Sequence, residues 1–262
     1  MGFLDRVIEY TRLRVEVECG SYTQATSKSS TPKHSLVAAI SDSSFAPLIG
    51  EVKPASPSAG WVCMGIDAGE IALKMVQAGA VGVSVLTEPV FFHGSIENLI
   101  KVREMVEVPV LMKDFIIDER QILRASQLGA DSILLIPEIC PDISKLYKLA
   151  LTLGVEPLLE VHCEEDLDRI APLNPRLVGV NNRNLDTLKV DLKKTQRLAP
   201  LIRRRCPEAL VVSESGVETA DDVRFLLSCG ADAVLVGSSL MRAKDVVAKV
   251  EELVGALKLG KG

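Results

Sequence analysis

A closed (β/α)8 barrel is the fold this sequence predicts, and three observations predict it. A Gly-led apolar run recurs, as AGAVGVSVL at 78–86, LGADSILLI at 128–136 and CGADAVLVG at 229–237, with LGVEPLLEV at 153–161 as a looser copy. The runs are continuous rather than alternating, and each follows a stretch of helical period, as in parallel strands covered by helices. Candidate strands start near 48, 81, 109, 132, 156, 177, 210 and 233, a set of eight with no charge- or Pro-rich linker between them. Their spacing of roughly 20 to 35 residues suits equal βα units closing on themselves. An open doubly wound sheet is the alternative, but no G-x-G-x-x-G follows the first strand.

The elements follow in chain order. The opening MGFLDRVIEYTRLRVEVE carries charge throughout and lacks the apolar core of a signal peptide. Its Leu4, Ile8 and Val15 suit one face of a helix. CGSYTQATSKSSTP at 19–32 is Ser/Thr-rich and reads as a loop, and a second added helix is expected over about 33–42. Residues 1–47 are thus expected to be a helical extension, set over a barrel end or against the helices. Residues 48–262 form the barrel, in one domain with the extension. The repeated unit is clearest in TADDVRFLLSCG. Thr219 is the N-cap, Asp222 its capping-box partner, and Val223, Leu226 and Leu227 the apolar stripe. Gly230 supplies the left-handed position that stops the helix.

Composition narrows the function. The chain has 262 residues, 47% hydrophobic, enough for a large core. A net charge of −5 leaves no nucleic-acid footprint, and no apolar run is long enough to span a membrane. The cysteines at 19, 63, 140, 163, 206 and 229 form no CxxC pair, and read as reduced hydrophobes in a cytoplasmic protein. The histidines at 34, 93 and 162 have no ligand spacing. No metal is expected, and acid–base chemistry falls to Lys and Glu.

In such a barrel the active site lies at the C-terminal strand ends. LIGEVKPASPSAG places Glu51 and Lys53 two apart on one face of the first strand. The third strand ends in Lys113, the fifth in Glu160, and the sixth in Asn181 and Arg183. The seventh ends in Glu214 and Ser215, the eighth in Gly237 and Ser238. Isolated buried polar groups cost free energy without a partner, so a cluster gathered at one mouth points to function. The ESG and GSS turns after the last two strands offer free N–H groups where barrels of this type hold phosphate.

These segments resemble the indole-3-glycerol phosphate synthase family of tryptophan biosynthesis, a family of TIM barrels. The motifs are EVKPASPSAG, SVLTEPVFFHGS, VLMKDFIIDERQI, GADSILLI, LLEVH, GVNNRNLDTLKVDL, SESGV and VLVGSSLMR, spanning about 48–243. The resemblance implies ring closure of 1-(2-carboxyphenylamino)-1-deoxyribulose 5-phosphate, with loss of CO₂ and water and no cofactor. It implies that Lys113 is the general acid at the substrate carbonyl and Glu160 the acid–base residue of the dehydration. Glu51 and Lys53 would be the pair beside them, keeping Lys113 charged and steering the carboxylate. Asn181 and Arg183 would hold the carboxylate and the developing hydroxyl. Ser56, Ser215, Gly216, Gly237 and Ser238 match the phosphate and ribulose end, with Glu214 on the same strand end. Phe92, Phe115, Leu134, Leu185 and Leu235 match the slot for the aryl ring. The partner is then a phosphorylated small molecule; a monomer fits, and no partner enzyme is identified.

Other residues draw plainer readings. His162, two beyond Glu160, is expected to be structural. Cys163 has no base partner in sequence, so nucleophilic chemistry is not expected of it. His93 reads as a loop variant, and Ala59, where relatives often carry a basic residue, as exposed. An isomerase of phosphoribosyl anthranilate would need a Cys–Asp pair on strands 1 and 6, and strand 1 has no Cys. A barrel without activity would show Lys113, Glu160 or Glu51 replaced, and all three are present.

Overall fold

The structure is a computed structural model that describes residues 2–18, 33–56, 60–61 and 67–258, with backbone only for 55–56 and 60–61. Eight parallel strands close into a barrel in chain order. They are β1 (Leu48–Val52), β2 (Gly82–Leu86), β3 (Val110–Lys113), β4 (Ser132–Leu135), β5 (Glu156–Val161), β6 (Leu177–Asn181), β7 (Leu210–Glu214) and β8 (Ala233–Val236). β8 returns to β1 with Leu48 opposite Val234. Each strand starts within one residue of its sequence-based position, because a buried parallel strand announces itself as an uninterrupted apolar run.

The helices on the outside are α3 (Ala68–Gln77), α4 (Ile96–Met105), α5 (Glu119–Gln127), α6 (Ile143–Thr152), α7 (Glu164–Ile170), α8 (Lys193–Arg205), α9 (Ala220–Ser228), the short α10 (Ser238–Arg242) and α11 (Val246–Val254). Their starts follow local chemistry. Asp67, Ser95, Asp118, Asp142, Thr219 and Asp245 each accept a backbone N–H of the first turn. Thr219 and Asp222 form the expected capping box, and Gly230 takes the expected left-handed φ of +100°.

The core has two layers. Ile49, Leu111, Leu158, Leu177, Val212, Ala233 and Leu235 fill the inside of the barrel. Their strand neighbours, Leu48, Val83, Val110, Leu159 and Val178 among them, face the helices. This is the period-two alternation of a closed sheet.

Two helices precede the barrel and cover opposite ends of it. α2 (Leu36–Ser41) sits at the N-terminal end, where Glu156 of β5 accepts from Ser35 Oγ at 2.6 Å and from the Leu36 and Val37 amides at 2.6 and 3.3 Å. α1 (Phe3–Glu18) lies at the C-terminal end, with Phe3 5.3 Å from Phe91 and 6.5 Å from Phe115, centroid to centroid. The buried face of α1 is Phe3, Val7, Thr11, Arg14 and Val15; of the Leu4–Ile8–Val15 face expected, Val15 is buried and Leu4 and Ile8 are half-buried against the core. The helix turns a cation inward because Asp114 waits there: Arg14 grips its carboxylate with both Nη atoms, at 3.0 and 2.6 Å. The loop expected at 19–32 and the position of Ala59 lie outside the described residues.

Candidate active site

Strand parity builds the site. Inward residues occur at every second position, and the last inward residue of most strands is polar. That gives Glu51 and Lys53 above Ile49, Lys113 above Leu111, Glu160 and His162 above Leu158, Asn181 and Arg183 above Leu177, and Glu214 above Val212. Two glycines in the same inward rows make room. A Cβ at Gly179 would overlap Glu214 Oε1, and one at Gly237 would overlap Glu51 Oε1.

The cluster is a chain of charges. Lys113 Nζ lies 2.7 Å from Glu214 Oε2 and 3.4 Å from Glu51 Oε2. Lys53 Nζ lies 3.2 Å from Glu51 Oε1 and 5.4 Å from the Phe92 ring centroid, within cation–π range. Burial opposes the charge on Lys113, but Glu214, Glu51 and Glu160 together raise its pKa, so it rests as an ammonium. Glu51 is held low: burial works against its charge, and Lys53 and Lys113 outweigh burial. Glu214 goes the other way. Burial, with Glu160 and Glu51 adding repulsion, outweighs Lys113 and pushes it up to about 7. Oε1 of Glu214 and Oε2 of Glu51 are buried without a hydrogen bond. Glu51 borders both cavities of the barrel mouth with Oε2 facing the Lys113 ammonium, whereas Glu214 borders neither and its Oε1 fills the space over Gly179.

Most of the cluster lines two adjoining cavities. Glu51, Lys53, Lys113, Arg183 and Ser215 border both. The first is greasy, walled by Phe3, Phe92, Phe115, Leu134 and Leu185. The second is walled by Ser215, Gly216, Gly237, Ser238 and Arg242. Ser215 and Gly216 both take left-handed φ, +68° and +96°, a conformation that non-Gly residues hold only when their surroundings enforce it. Asn182 enforces it: its Nδ2 donates to Ser213 Oγ and to Ser215 O at 3.0 and 3.1 Å, while its Oδ1 accepts from the Thr195 amide and hydroxyl. Among the described residues no group of three or more His, Cys, Asp or Glu could hold a metal ion.

The structure brings together most of the site residues read from the sequence and relocates two. Leu235 borders the second cavity and not the first, where the resemblance put it with Phe92 and Phe115, because β8 faces the Ser215–Gly216 turn. Glu214 stands against Lys113, closer to it than Glu51 is. The Ser56 side chain lies outside the described residues. Asn181 donates to Glu160 Oε1 at 3.0 Å, and its Oδ1 accepts from the Arg183 amide at 3.0 Å. Arg183 Nη1 donates to Leu188 O at 2.8 Å, which leaves the far side of the guanidinium toward both cavities.

Several contributors escaped the sequence reading. Glu88 accepts the amides of Val90, Phe91 and Phe92 and so shapes the loop that presents Phe92. Asp114, beside Lys113, is tied by Arg14, by Thr87 Oγ1 at 2.7 Å and by the Phe115 amide at 2.8 Å. Phe3 reaches the first cavity from the extension. Sequence offered one hint of these, the acidic residue two before VFF in TEPVFF; the other pairings cross long stretches of chain.

Comparison with known proteins agrees with this geometry. The family model described as indole-3-glycerol phosphate synthase matches residues 4–253. The chain is 48% identical over 211 residues to the indole-3-glycerol phosphate synthase of Geobacillus kaustophilus, covering 79% of this chain and 81% of that protein. It is 40% identical over 248 residues to that of Oceanobacillus iheyensis, covering 94% of each. It is 46% identical over 213 residues to that of Methanothermobacter marburgensis, covering 80% and 75%. With a family match over nearly its whole length and a charged barrel mouth built to suit, the chain belongs to the indole-3-glycerol phosphate synthase family.

Proposed function

We propose that this chain closes the indole ring of 1-(2-carboxyphenylamino)-1-deoxyribulose 5-phosphate, with Lys113 and Glu160 as the proton-handling residues. The observation that carries the reading is Lys113: a buried ammonium between two carboxylates, at the border of an apolar cavity and an amide-rich one. The phosphate takes the Ser215–Gly216 and Gly237–Ser238 turns, which border the second cavity and, as turns ahead of a helix do, offer backbone N–H groups to an anion. The aryl ring takes the slot of Phe3, Phe92, Phe115, Leu134 and Leu185, with its carboxylate toward Lys53 and Arg183.

The ketone oxygen then falls near Lys113. Proton transfer from Nζ makes C2′ electrophilic, and the ring carbon bearing the carboxylate attacks it. The C–CO₂⁻ bond breaks, and its electron pair restores the aromatic ring as CO₂ leaves. Dehydration follows: the new hydroxyl leaves as water and a C1′ proton is lost, which completes the pyrrole ring. Glu160 rests as a carboxylate and handles that proton. Burial would raise its pKa, but His162, Lys113 and Asn181 hold it below the usual carboxylate range.

All of these groups come from one chain, so a monomer suffices. The extension counts with the barrel as one domain, since α1 walls the aryl slot and α2 closes the other end. No helix among the described residues is long and apolar enough to cross a membrane, and Cys140, Cys163, Cys206 and Cys229 are unpaired. Both fit a cytoplasmic location.

The test is direct. The anilino-ribulose phosphate is added to purified protein, and indole absorbance and fluorescence are followed with CO₂ release. Equimolar indole product and CO₂ are expected, at a rate that chelator treatment leaves unchanged. Folded protein that forms no indole would overturn the reading. A rate lost to chelator and restored by Mg²⁺ would overturn the cofactor-free expectation.

A further inference from the structure

His162 has no place in the chemistry above, yet it stands on the same inward row of β5 as Glu160, one step nearer solvent. Its Nε2 lies 3.0 Å from Glu160 Oε1, and its side chain is 15% exposed. Asn181 Nδ2 donates to that same oxygen at 3.0 Å. An amide donor and an imidazole nitrogen in ion-pair contact therefore converge on Oε1, the imidazole by charge and not by an aligned hydrogen bond. His162 does not wall either cavity, so it does not touch a substrate held there.

We infer that His162 is a positioning residue, which together with Asn181 pins Oε1 of Glu160 so that Oε2 is the oxygen presented to the substrate. The inference rests on Glu160 being the dehydration acid–base residue. Glu160 sits on a strand end with no backbone amide bonded to its carboxylate, so side chains alone fix its orientation. A free carboxylate could rotate toward Lys113, whose Nζ already serves Glu214 and Glu51, and occupy the ammonium N–H that the substrate ketone needs. A charged imidazole on the far side of Glu160 opposes that rotation.

The charge on His162 is set by groups from three elements. Glu160 on β5 and Asp166 on α7 favour the imidazolium, and Lys194 on α8 opposes it. Asp166 is already engaged by the His162 and Cys163 amides, at 2.7 and 3.2 Å, which leaves Glu160 as the carboxylate facing the ring. Burial lowers the imidazole pKa, but the Glu160 contact outweighs burial and raises it. The sign follows. The ion pair is complete below the ordinary histidine range and is lost as pH rises through the elevated value.

The experiment compares wild type, His162→Gln and His162→Ala in steady-state kinetics from about pH 5.5 to about pH 9, with circular dichroism to confirm folding. His162→Ala should lower kcat roughly 10- to 100-fold, the scale of a misplaced catalytic group, with KM changed less than about twofold. His162→Gln keeps a neutral donor. It should recover most of that kcat and lose the alkaline fall that wild type shows as the imidazole deprotonates. A second measurement does not need turnover. The chain has three histidines, so the His162 ring resonance is assigned by its absence in His162→Gln, and its titration midpoint should fall in Glu160→Gln. Wild-type kcat and pH profile in both His162 variants would overturn the inference. So would a loss confined to KM, or a midpoint indifferent to Glu160→Gln. If wild type itself fails to form indole, the proposed function is at fault, and the resonance titration still decides whether the pair exists.

Discussion

The two ends of the barrel carry similar residues and use them in opposite ways. At the N-terminal end the acids are bonded to arginines, amides and a hydroxyl that tie neighbouring elements together. Asp131 accepts from Arg103 at 2.6 Å and from the Val110 and His34 amides at 3.0 and 3.1 Å. Asp232 repeats the device half a barrel away, with Arg203 and the Val211 amide, and Glu156 binds the start of α2. At the C-terminal end Glu51 and Glu214 are as deeply buried, yet each keeps an oxygen without a hydrogen bond. A buried acid bonded as Asp131 is bolts strands together. Glu51 and Glu214 instead direct their contacts to the Lys113 ammonium, holding a charge at the border of the cavities, and the stability cost is the price of function. The contrast even separates neighbours: Asp114 is saturated and positions the loop, while Lys113 beside it faces the cavities.

Lys113→Met is the sharpest test of the contrast. It keeps length and apolar packing, so the fold should survive. Turnover should fall at least about 10²–10⁴-fold, the range for one general acid, with KM much less affected. Lys53→Met should instead weaken binding more than Lys113→Met does. Near wild-type turnover in Lys113→Met would move the acid role to Lys53.

Asp131→Ala probes the other end. It leaves Arg103 without its carboxylate, though still bonded to the Val106 and Val108 carbonyls, and two amides without an acceptor, and should destabilise by about 3–5 kcal/mol. That is a Tm fall of roughly 10 °C for a chain of this size. Activity per folded molecule at low temperature should stay within about twofold, since the bottom face contributes stability and not chemistry. A large loss of kcat without a Tm change would break the division of labour.

Glu214→Gln sharpens it through pH. A carboxyl raised by burial binds its proton more tightly in the folded chain than in the unfolded one. Wild type therefore loses stability as pH rises from the ordinary carboxylate range to about 7. Glutamine mimics the neutral form and has no such slope. The Tm of Glu214→Gln relative to wild type should climb across that window and level off above it. A gap that stays flat or narrows would show that Glu214 is an ordinary ion-pair partner of Lys113.

The smallest effect is expected of Asn182→Ala, a saturated network placed, unusually, at the functional end. Losing the hydrogen bond to Ser215 O frees the strained turn, and KM should rise about 5- to 10-fold with kcat nearly unchanged. Weaker binding of inorganic phosphate as a competitive inhibitor should track it. A kcat effect larger than the KM effect would mean that Asn182 also shapes the Lys113–Glu214 pair.

Sequence by itself determined the barrel, its eight strand starts, the capping box at Thr219 and the polar strand ends. Each is written in local periodicity: a continuous apolar run, an i, i+3, i+4 stripe, a Gly at a left-handed stop. Parity along a strand also tells which side chains face inward, so Glu51, Lys53, Lys113, Glu160 and Asn181 were legible as one cluster once the barrel was assumed. Which inward groups touch was not legible. Lys113 and Glu214 are 101 positions apart, and so are dependent on barrel closure and stagger. Arg14 and Asp114 are 100 apart, joined only because α1 folds over the mouth; that contact adds a cation to the buried face, which an apolar stripe does not foretell. Leu235 was readable as inward, but the cavity it borders is set by which strands flank it. The same limit hid His162. Its place two residues beyond Glu160 was plain, but the 3.0 Å approach to Oε1 depends on rotamers fixed by α7, α8 and Asn181, and a one-dimensional pattern carries no information on rotamers.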